Sequence, residues 1–204
     1  MLPEKPTRER GVFWHLNDGK GVFLRPLGPQ DRERIRVGLS RMSDRSRYLR
    51  FFAGTQALTE EQLRYLTELD QVNHVAWCAL DPDEKGLPGL GIVRFRRSDD
   101  DPSVAEWAVA IIDAFQRRGL GRLFTALICV LAGKRDVRIL RCSILEENQP
   151  VVEWLGRLGG EIHRREGEYE VTLAVEEAVN APRDNPSAKR FARLVHEISQ
   201  YVTG

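Results

Sequence analysis

The residues best suited to chemistry run from Val109 to Leu123: Val-Ala-Ile-Ile-Asp-Ala-Phe-Gln-Arg-Arg-Gly-Leu-Gly-Arg-Leu. An apolar strand leads into a turn holding Gly119 and Gly121, and a helix follows. The start of a helix presents N–H groups without intrahelical partners and a partial positive charge. Glycine removes the side chain that would keep an anion away from the backbone. Arg117, Arg118 and Arg122 add formal positive charge, so the segment reads as a phosphate cradle. The glycines alone are weak, because Gly-x-Gly is a common turn. A Gly-x-x-x-x-Gly-Lys-Ser/Thr loop is absent, and Phe124 stands where a dinucleotide fingerprint needs its third glycine. Gly86, Gly89 and Gly91 precede a strand instead of following one and read as a turn.

Other candidates lie around this segment. Glu106 sits earlier on the same strand, beside Trp107, and is either a proton acceptor or a solvent-facing strand carboxylate. His74, near Asp70 and Asn73, is a rival base, although a hydrogen-bonded structural histidine explains it as well. Asn148 precedes a helix and suits a cap. Arg47, Tyr48, Phe51 and Phe52 are placed to shape an acceptor mouth, with core packing the simpler reading of the two phenylalanines. No Ser or Cys near the turn has a base to activate it. Cys78, Cys129 and Cys142 lie far apart among apolar neighbours and read as buried thiols. Neither they nor the histidines have the spacing of a metal site.

These residues need elements to hold them. Asn17-Asp18-Gly19-Lys20 between apolar runs predicts a hairpin over 12–25. Pro29-Gln30-Asp31 opens a helix with Ile35, Leu39 and Met42 on one stripe, and Ser43–Phe52 forms a second. Thr59 with Gln62 is a capping box, followed by a stripe of Leu63, Leu66 and Leu69. Strands follow at His74–Leu80, Leu90–Arg96 and Ser103–Ile112, the last apolar enough for burial on both faces. Then come a helix at Gly119–Ala132, a strand at Val137–Ile144, a helix at Gln149–Leu158, and a hairpin of 161–165 with 169–173. A linker at 181–186 leads to an amphipathic helix with Phe191, Leu194, Val195, Ile198 and Val202 on one face. This order predicts an α/β fold, a mixed and mostly antiparallel sheet flanked by helices, over residues 1–180. The linker and an extra C-terminal helix, which covers either its own sheet or the partner in a homodimer, occupy 181–204.

At this point a resemblance becomes specific. Gln116-x-x-Gly119-x-Gly121 after an apolar strand resembles the acetyl-CoA pyrophosphate motif of the GNAT superfamily. Leu145-Glu146-Glu147-Asn148-Gln149-Pro150, opening a helix that ends at Leu158-Gly159, resembles its second cofactor segment. The element order from Phe23 to Leu173 is similar to the GNAT-like acyl-CoA N-acyltransferase fold. The resemblance implies acetyl-CoA as co-substrate, bound by Ile111, Ile112, Gln116, Arg117, Arg118, Gly119, Leu120, Gly121, Arg122 and Asn148. It also implies a backbone N–H near Ile111 that polarises the thioester carbonyl.

Leu24-Arg25-Pro26-Leu27, Ser43–Phe52, Asp70 with His74-Val75-Ala76, and Ala105-Glu106-Trp107-Ala108-Val109 together resemble the catalytic domain of Pat-type protein lysine acetyltransferases. That implies an N-acetyltransferase with Glu106 as general base and a protein lysine as first acceptor. A small-molecule amine is the alternative acceptor, and a non-catalytic acyl-CoA-binding sensor is the alternative of another class. Two positions depart from the superfamily pattern: Leu155 where many members have a tyrosine that protonates the leaving thiolate, and Gly160 where phenylalanine is common.

Bulk composition describes an ordinary globular protein: 42% hydrophobic and 30% charged over 204 residues, neither disordered nor membrane-embedded. No apolar run reaches the ~18 residues of a membrane span, and Met1–Pro6 lacks the apolar core of a signal peptide, so a cytoplasmic protein is expected. Residues 1–50 carry 12 Lys/Arg against 6 Asp/Glu, but without the interleaved aromatics of a nucleic-acid module.

Overall fold

The computed structural model describes residues 11–52, 57–179 and 186–202; the N-terminal segment at 1–6 and the linker at 181–185 lie outside them. The elements are β1 (Val12–His15), β2 (Gly21–Pro26), α1 (Arg32–Ser40), α2 (Asp44–Phe51), α3 (Glu60–Thr67), β3 (His74–Leu80), β4 (Gly89–Arg97), β5 (Val104–Ile111), α4 (Leu120–Gly133), β6 (Ile139–Leu145), α5 (Gln149–Arg157), β7 (Glu161–Arg165), β8 (Glu168–Ala174), α6 (Val175–Val179) and α7 (Pro186–Ser199). The strands form one sheet in the order β1-β2-β3-β4-β5-β6-β8-β7. The β1–β2, β2–β3, β6–β8 and β7–β8 pairs are antiparallel and the β5–β6 pair is parallel, so the sheet is mixed as expected. Two compact units share β4 and β5: one takes the chain to Arg94 with Val109–Gly121, the other takes Phe95–Ala108 with the chain from Arg122.

In the first unit, local signals set the element ends. Gly19 adopts φ +83° in the β1–β2 turn, a conformation that costs glycine nothing. The Ser43 hydroxyl accepts the Ser46 N–H at 3.2 Å to start α2. Thr59 and Gln62 complete the reciprocal capping box of α3. Phe23, Leu27, Ile35, Leu63, Ala76, Cys78 and Leu80 form the core between β2, β3, α1 and α3. Asp31 is buried at the head of α1, where Arg25 grips it with two bonds of 2.7 and 2.6 Å and Arg34 adds a third at 3.1 Å. A buried carboxylate persists only with such partners, and this one fixes α1 to β2. Two readings of the sequence are corrected here. Leu69 is not on α3, because Glu68 leaves helical geometry at ψ 84°; Leu66 and Leu69 pack half-buried against the core. Phe52 is not a core residue: it ends α2 in the left-handed conformation, φ +60°, and is 42% exposed.

In the second unit, α4 contributes a long run of core residues: Leu123, Phe124, Ala126, Leu127, Ile128 and Cys129 are buried. β6 takes β5 as parallel neighbour on one side and β8 as antiparallel neighbour on the other. Ala188, Phe191, Val195, Ile198 and Val202 on and after α7 are buried, with Trp154 of α5 edge-on to Phe191 at 6.0 Å. The apolar stripe of the C-terminal helix is thus buried within its own unit; Leu194, at its margin, is half-buried. No helix among the described residues is long and apolar enough to cross a membrane.

Candidate functional site

The glycine turn lies in the first unit, and the structure shows what holds it. β5 ends at Ile111, and the Ile112 N–H donates to the Leu90 carbonyl at 3.1 Å. A tight turn over 113–115 follows, closed by Phe115 N–H to Ile112 O at 2.9 Å and Gln116 N–H to Asp113 O at 3.2 Å. Arg117 and Gly119 both take positive φ, +58° and +101°, before α4 begins at Leu120. Positive φ at a non-glycine residue is uncommon and needs support from its surroundings.

That support comes from distant parts of the chain. The Gln116 amide donates to Ser46 Oγ at 3.0 Å, Ile111 O at 3.1 Å and Asp113 Oδ1 at 3.2 Å. The Ser43 N–H donates to Asp113 Oδ2 at 3.2 Å. Burial pushes the Asp113 carboxyl up, but the Ser43 and Ser46 hydroxyls, the Ser43 N–H and the Arg47 cation outweigh it and hold it below its ordinary range. From the β1–β2 turn, Asp18 accepts the Arg118 Nε–H, and the Asn17 N–H reaches Arg118 O at 3.3 Å. The Arg118 guanidinium stacks on the Phe115 ring at 4.4 Å. Gly119 faces Asn17 so closely that a Cβ would lie 2.9 Å from its Nδ2. Gly121 has room: a Cβ there would meet Ile111 Cδ1 at an ordinary 3.7 Å.

The predicted cofactor residues therefore divide by role. Leu120 is fully buried and anchors α4, so only its backbone can meet a ligand. Arg118 is engaged by Asp18, whereas Arg117 and Arg122 are exposed. Ser43, Ser46, Asn17 and Asp18 were missed by sequence reasoning as parts of this site. The Arg118 bond holds Asp18 below the ordinary carboxylate range, with the Lys20 N–H as the next cause. A carboxylate depressed in the fold helps above its unfolded value and stops helping as pH falls through the lowered one. Asp18→Ala is therefore expected to raise the KM for the anionic cofactor by no more than about fivefold, as an exposed pair should. Acidification through the lowered Asp18 value should bring the wild type to the same KM. A wild-type KM that stays below that of the variant throughout the acid limb would show that the pair does not steady the turn.

The second unit carries the other candidates. Glu106 is exposed on β5, between buried Ala105 and Trp107, and sits opposite Arg141 in the β5–β6 register. The expectation of burial on both faces of β5 is corrected: only Val104, Ala105 and Trp107 are buried, and 108–111 are half-buried. Asn148 occupies the cap position of α5, but its side chain makes no capping bond; its carbonyl accepts Val151 N–H at 3.0 Å. Capping therefore does not explain this side chain. Leu155 is buried in α5. A Cβ on Gly160 would fall 2.9 Å from Leu155 O, so the phenylalanine common there has no room.

Two alternative chemistries lose support. His74, in the first unit, has its backbone N–H held by Asp70 at 2.8 Å and its ring beside Tyr65 at 5.1 Å, while Nε2 meets the Arg94 guanidinium. A ring nitrogen facing an obligate donor has its lone pair engaged, which makes His74 a poor base. Burial pushes the thiols of Cys78, Cys129 and Cys142 up to about 12, far from a reactive thiolate. No group of residues able to hold a metal ion occurs among the described residues.

The model of the acetyltransferase (GNAT) domain matches residues 22–161, a span that holds the glycine turn, Glu106 and Asn148. The chain belongs to the GNAT acetyltransferase family. It is 30% identical over 145 residues to acetyltransferase Pat of Mycolicibacterium smegmatis, covering 71% of this chain and 42% of that protein. It is 33% identical over 130 residues to acetyltransferase PA5475 of Pseudomonas aeruginosa, covering 63% of this chain and 69% of that one. The crystal structure of the GNAT domain of S. lividans PAT superposes with a TM-score of 0.74 at 25% identity, over 84% of this chain and 99% of that one. The chain thus spans less than half the length of the Mycolicibacterium relative. The turn Asn17–Asp18, which grips Arg118 and Gly119, lies just before the matched residues.

Proposed function

We propose that this GNAT chain moves an acetyl group from acetyl-CoA to an amine, with a protein lysine as first acceptor, by direct attack. The observation that carries the reading is the glycine turn. It is strained at Arg117, tied down by Ser43, Ser46, Asn17 and Asp18, and placed at the start of a 14-residue helix. A rigid turn on a helix start suits the pyrophosphate of acetyl-CoA. In this reading Gln116, Arg117, Arg118, Gly119, Leu120, Gly121 and Arg122 surround the pyrophosphate, Leu120 through its backbone. The Asn148 side chain, not needed for its helix, holds the pantetheine arm. The Ile112 N–H is already given to Leu90, so the N–H that polarises the thioester carbonyl falls to Ile111.

Glu106 takes the proton from the attacking amine. A lysine amine of pKa ~10.4 is charged at neutral pH, so freeing its lone pair costs roughly 4.6 kcal/mol without help. Transfer is direct because the three thiols are held protonated. With Leu155 unable to donate a proton, the thiolate, ~8.5 as a free thiol, leaves unaided or takes its proton from water. Residues 1–180 form the catalytic domain in this reading, and 181–204 an appended helix.

The test is incubation with acetyl-CoA and a cell extract, followed by mapping of acetylated lysines. Activity should survive replacement of all three cysteines. Acetyl-CoA binding without transfer to any protein or small amine would favour the sensor instead.

A further inference from the structure

Among the described residues of the first unit, one cation forms no ion pair. Arg50, in the last turn of α2, has its Nε enclosed by protein without a hydrogen-bond partner. Its guanidinium lies 5.0 Å over the ring of Phe51. Its charged neighbour is another cation, Arg94, which reaches His74 and lies 5.0 Å over the Tyr65 ring. Among the described residues Arg50 forms no ion pair. Two acids of this unit are engaged elsewhere: Asp31 with Arg25 and Arg34, and Asp70 with the N–H groups of Val72, Asn73 and His74. Burial, and then Arg94, push the Arg50 value down to about 10, so it keeps its charge at neutral pH. A half-buried guanidinium beside a second cation is unfavourable unless an anion joins them, and its flat fork of N–H donors matches a carboxylate.

We propose that Arg50, with Arg94 beside it, binds a carboxylate carried by the acyl acceptor. The surroundings point to the acceptor and not to the cofactor. The cofactor's phosphates have their own cradle at 116–121. The Arg50 head lies over Phe51 and that of Arg94 over Tyr65 beside His74, with Tyr48 exposed on the same short helix and Phe52 exposed at its end, surroundings suited to an organic side chain. Ser46, one helical turn before Arg50, is the residue that bonds Gln116. The same helix thus steadies the cofactor turn with one end and presents the cation with the other. The assignment to the acceptor rests on the acetyltransferase reading; the presence of a carboxylate site does not.

Two matched pairs of probes test it. One is L-lysine against L-lysinamide. The other is a blocked peptide with Glu near a single lysine against its Gln counterpart. The Arg50 Nε–H resonance, assigned by its loss in Arg50→Lys, is followed by ¹⁵N NMR as each probe is added. A saturable shift with a carboxylate probe and none with its neutral counterpart is expected. The first pair responding identifies a free amino-acid-like acceptor, the second an acidic protein segment. No saturable shift in either pair overturns the site, whether or not acetyl transfer is seen. In turnover, the preferred carboxylate acceptor should exceed its neutral counterpart by roughly 10- to 100-fold in kcat/KM. Arg50→Gln should erase that preference while keeping the rise in melting temperature on adding acetyl-CoA. A preference that survives Arg50→Gln also overturns the proposal. A site that binds carboxylate in a protein that transfers nothing would sink the acetyltransferase reading and leave the site standing.

Discussion

Glu106→Gln is expected to lower kcat by roughly 10²–10⁴-fold, the usual worth of a positioned proton acceptor. The amide keeps the size and reach of the carboxylate but cannot take a proton at neutral pH. The structure makes the substitution a clean one. Glu106 is exposed on β5 and belongs to no ion pair among the described residues, with Arg141 only its register neighbour. Melting temperature should therefore stay near that of the parent, since an exposed change of this kind shifts stability by about 0.5 kcal/mol or less. Acetyl-CoA affinity should also hold. Raising pH should partly rescue the variant, because solvent then supplies free amine without a base. An unimpaired variant would leave catalysis to proximity alone, because the rival His74 has its Nε2 turned to Arg94.

The parts of this protein that were legible in the sequence are those set by neighbours in the chain. The Asn-Asp-Gly turn, the Thr59–Gln62 box, the Ser43 start of α2 and the glycine turn depend on a few adjacent residues, and each forms where it was read. α6 spans only five residues, too short for a periodic pattern to reveal. β6 begins at Ile139, two residues late, because the Val137 N–H still bonds back to Ala132 and Asp136 sits at φ +59°. The partners of the glycine turn were out of reach for another reason. Asp18 meets Arg118 across 100 positions and Ser46 meets Gln116 across 70, and no local pattern encodes such a meeting. The same holds for Arg50. As a sequence letter it is one more arginine on a basic helix, and only the fold shows that its Nε is enclosed without a hydrogen-bond partner among the described residues.

Gly121→Glu is expected to weaken acetyl-CoA binding by more than about 100-fold while the protein without ligand stays folded. The two glycines of the turn differ in what they do for the fold. At Gly119 the backbone takes φ +101°, and a Cβ would press on Asn17 at 2.9 Å. Gly119→Ala should thus destabilise the ligand-free protein by about 1–2 kcal/mol from the left-handed conformation alone, which blurs any reading of binding. At Gly121 φ is not in the left-handed range, and a Cβ would make only an ordinary 3.7 Å contact with Ile111. A glutamate in the first turn of a helix is favourable on its own account, so the ligand-free melt should hold or rise slightly. Placed in a phosphate cradle, however, the same carboxylate sets like charge against like, at a cost of several kcal/mol. In the parent, acetyl-CoA at about 100 times its Kd should add roughly 2.7 kcal/mol to stability, and the rise in melting temperature reports it. In Gly121→Glu that rise should vanish at the same concentration. Gly121→Gln, of equal size without the charge, should retain more of the rise than Gly121→Glu. Equal losses in the two variants would mean that bulk and not charge governs the position, and an undiminished rise in Gly121→Glu would move the phosphates away from this turn.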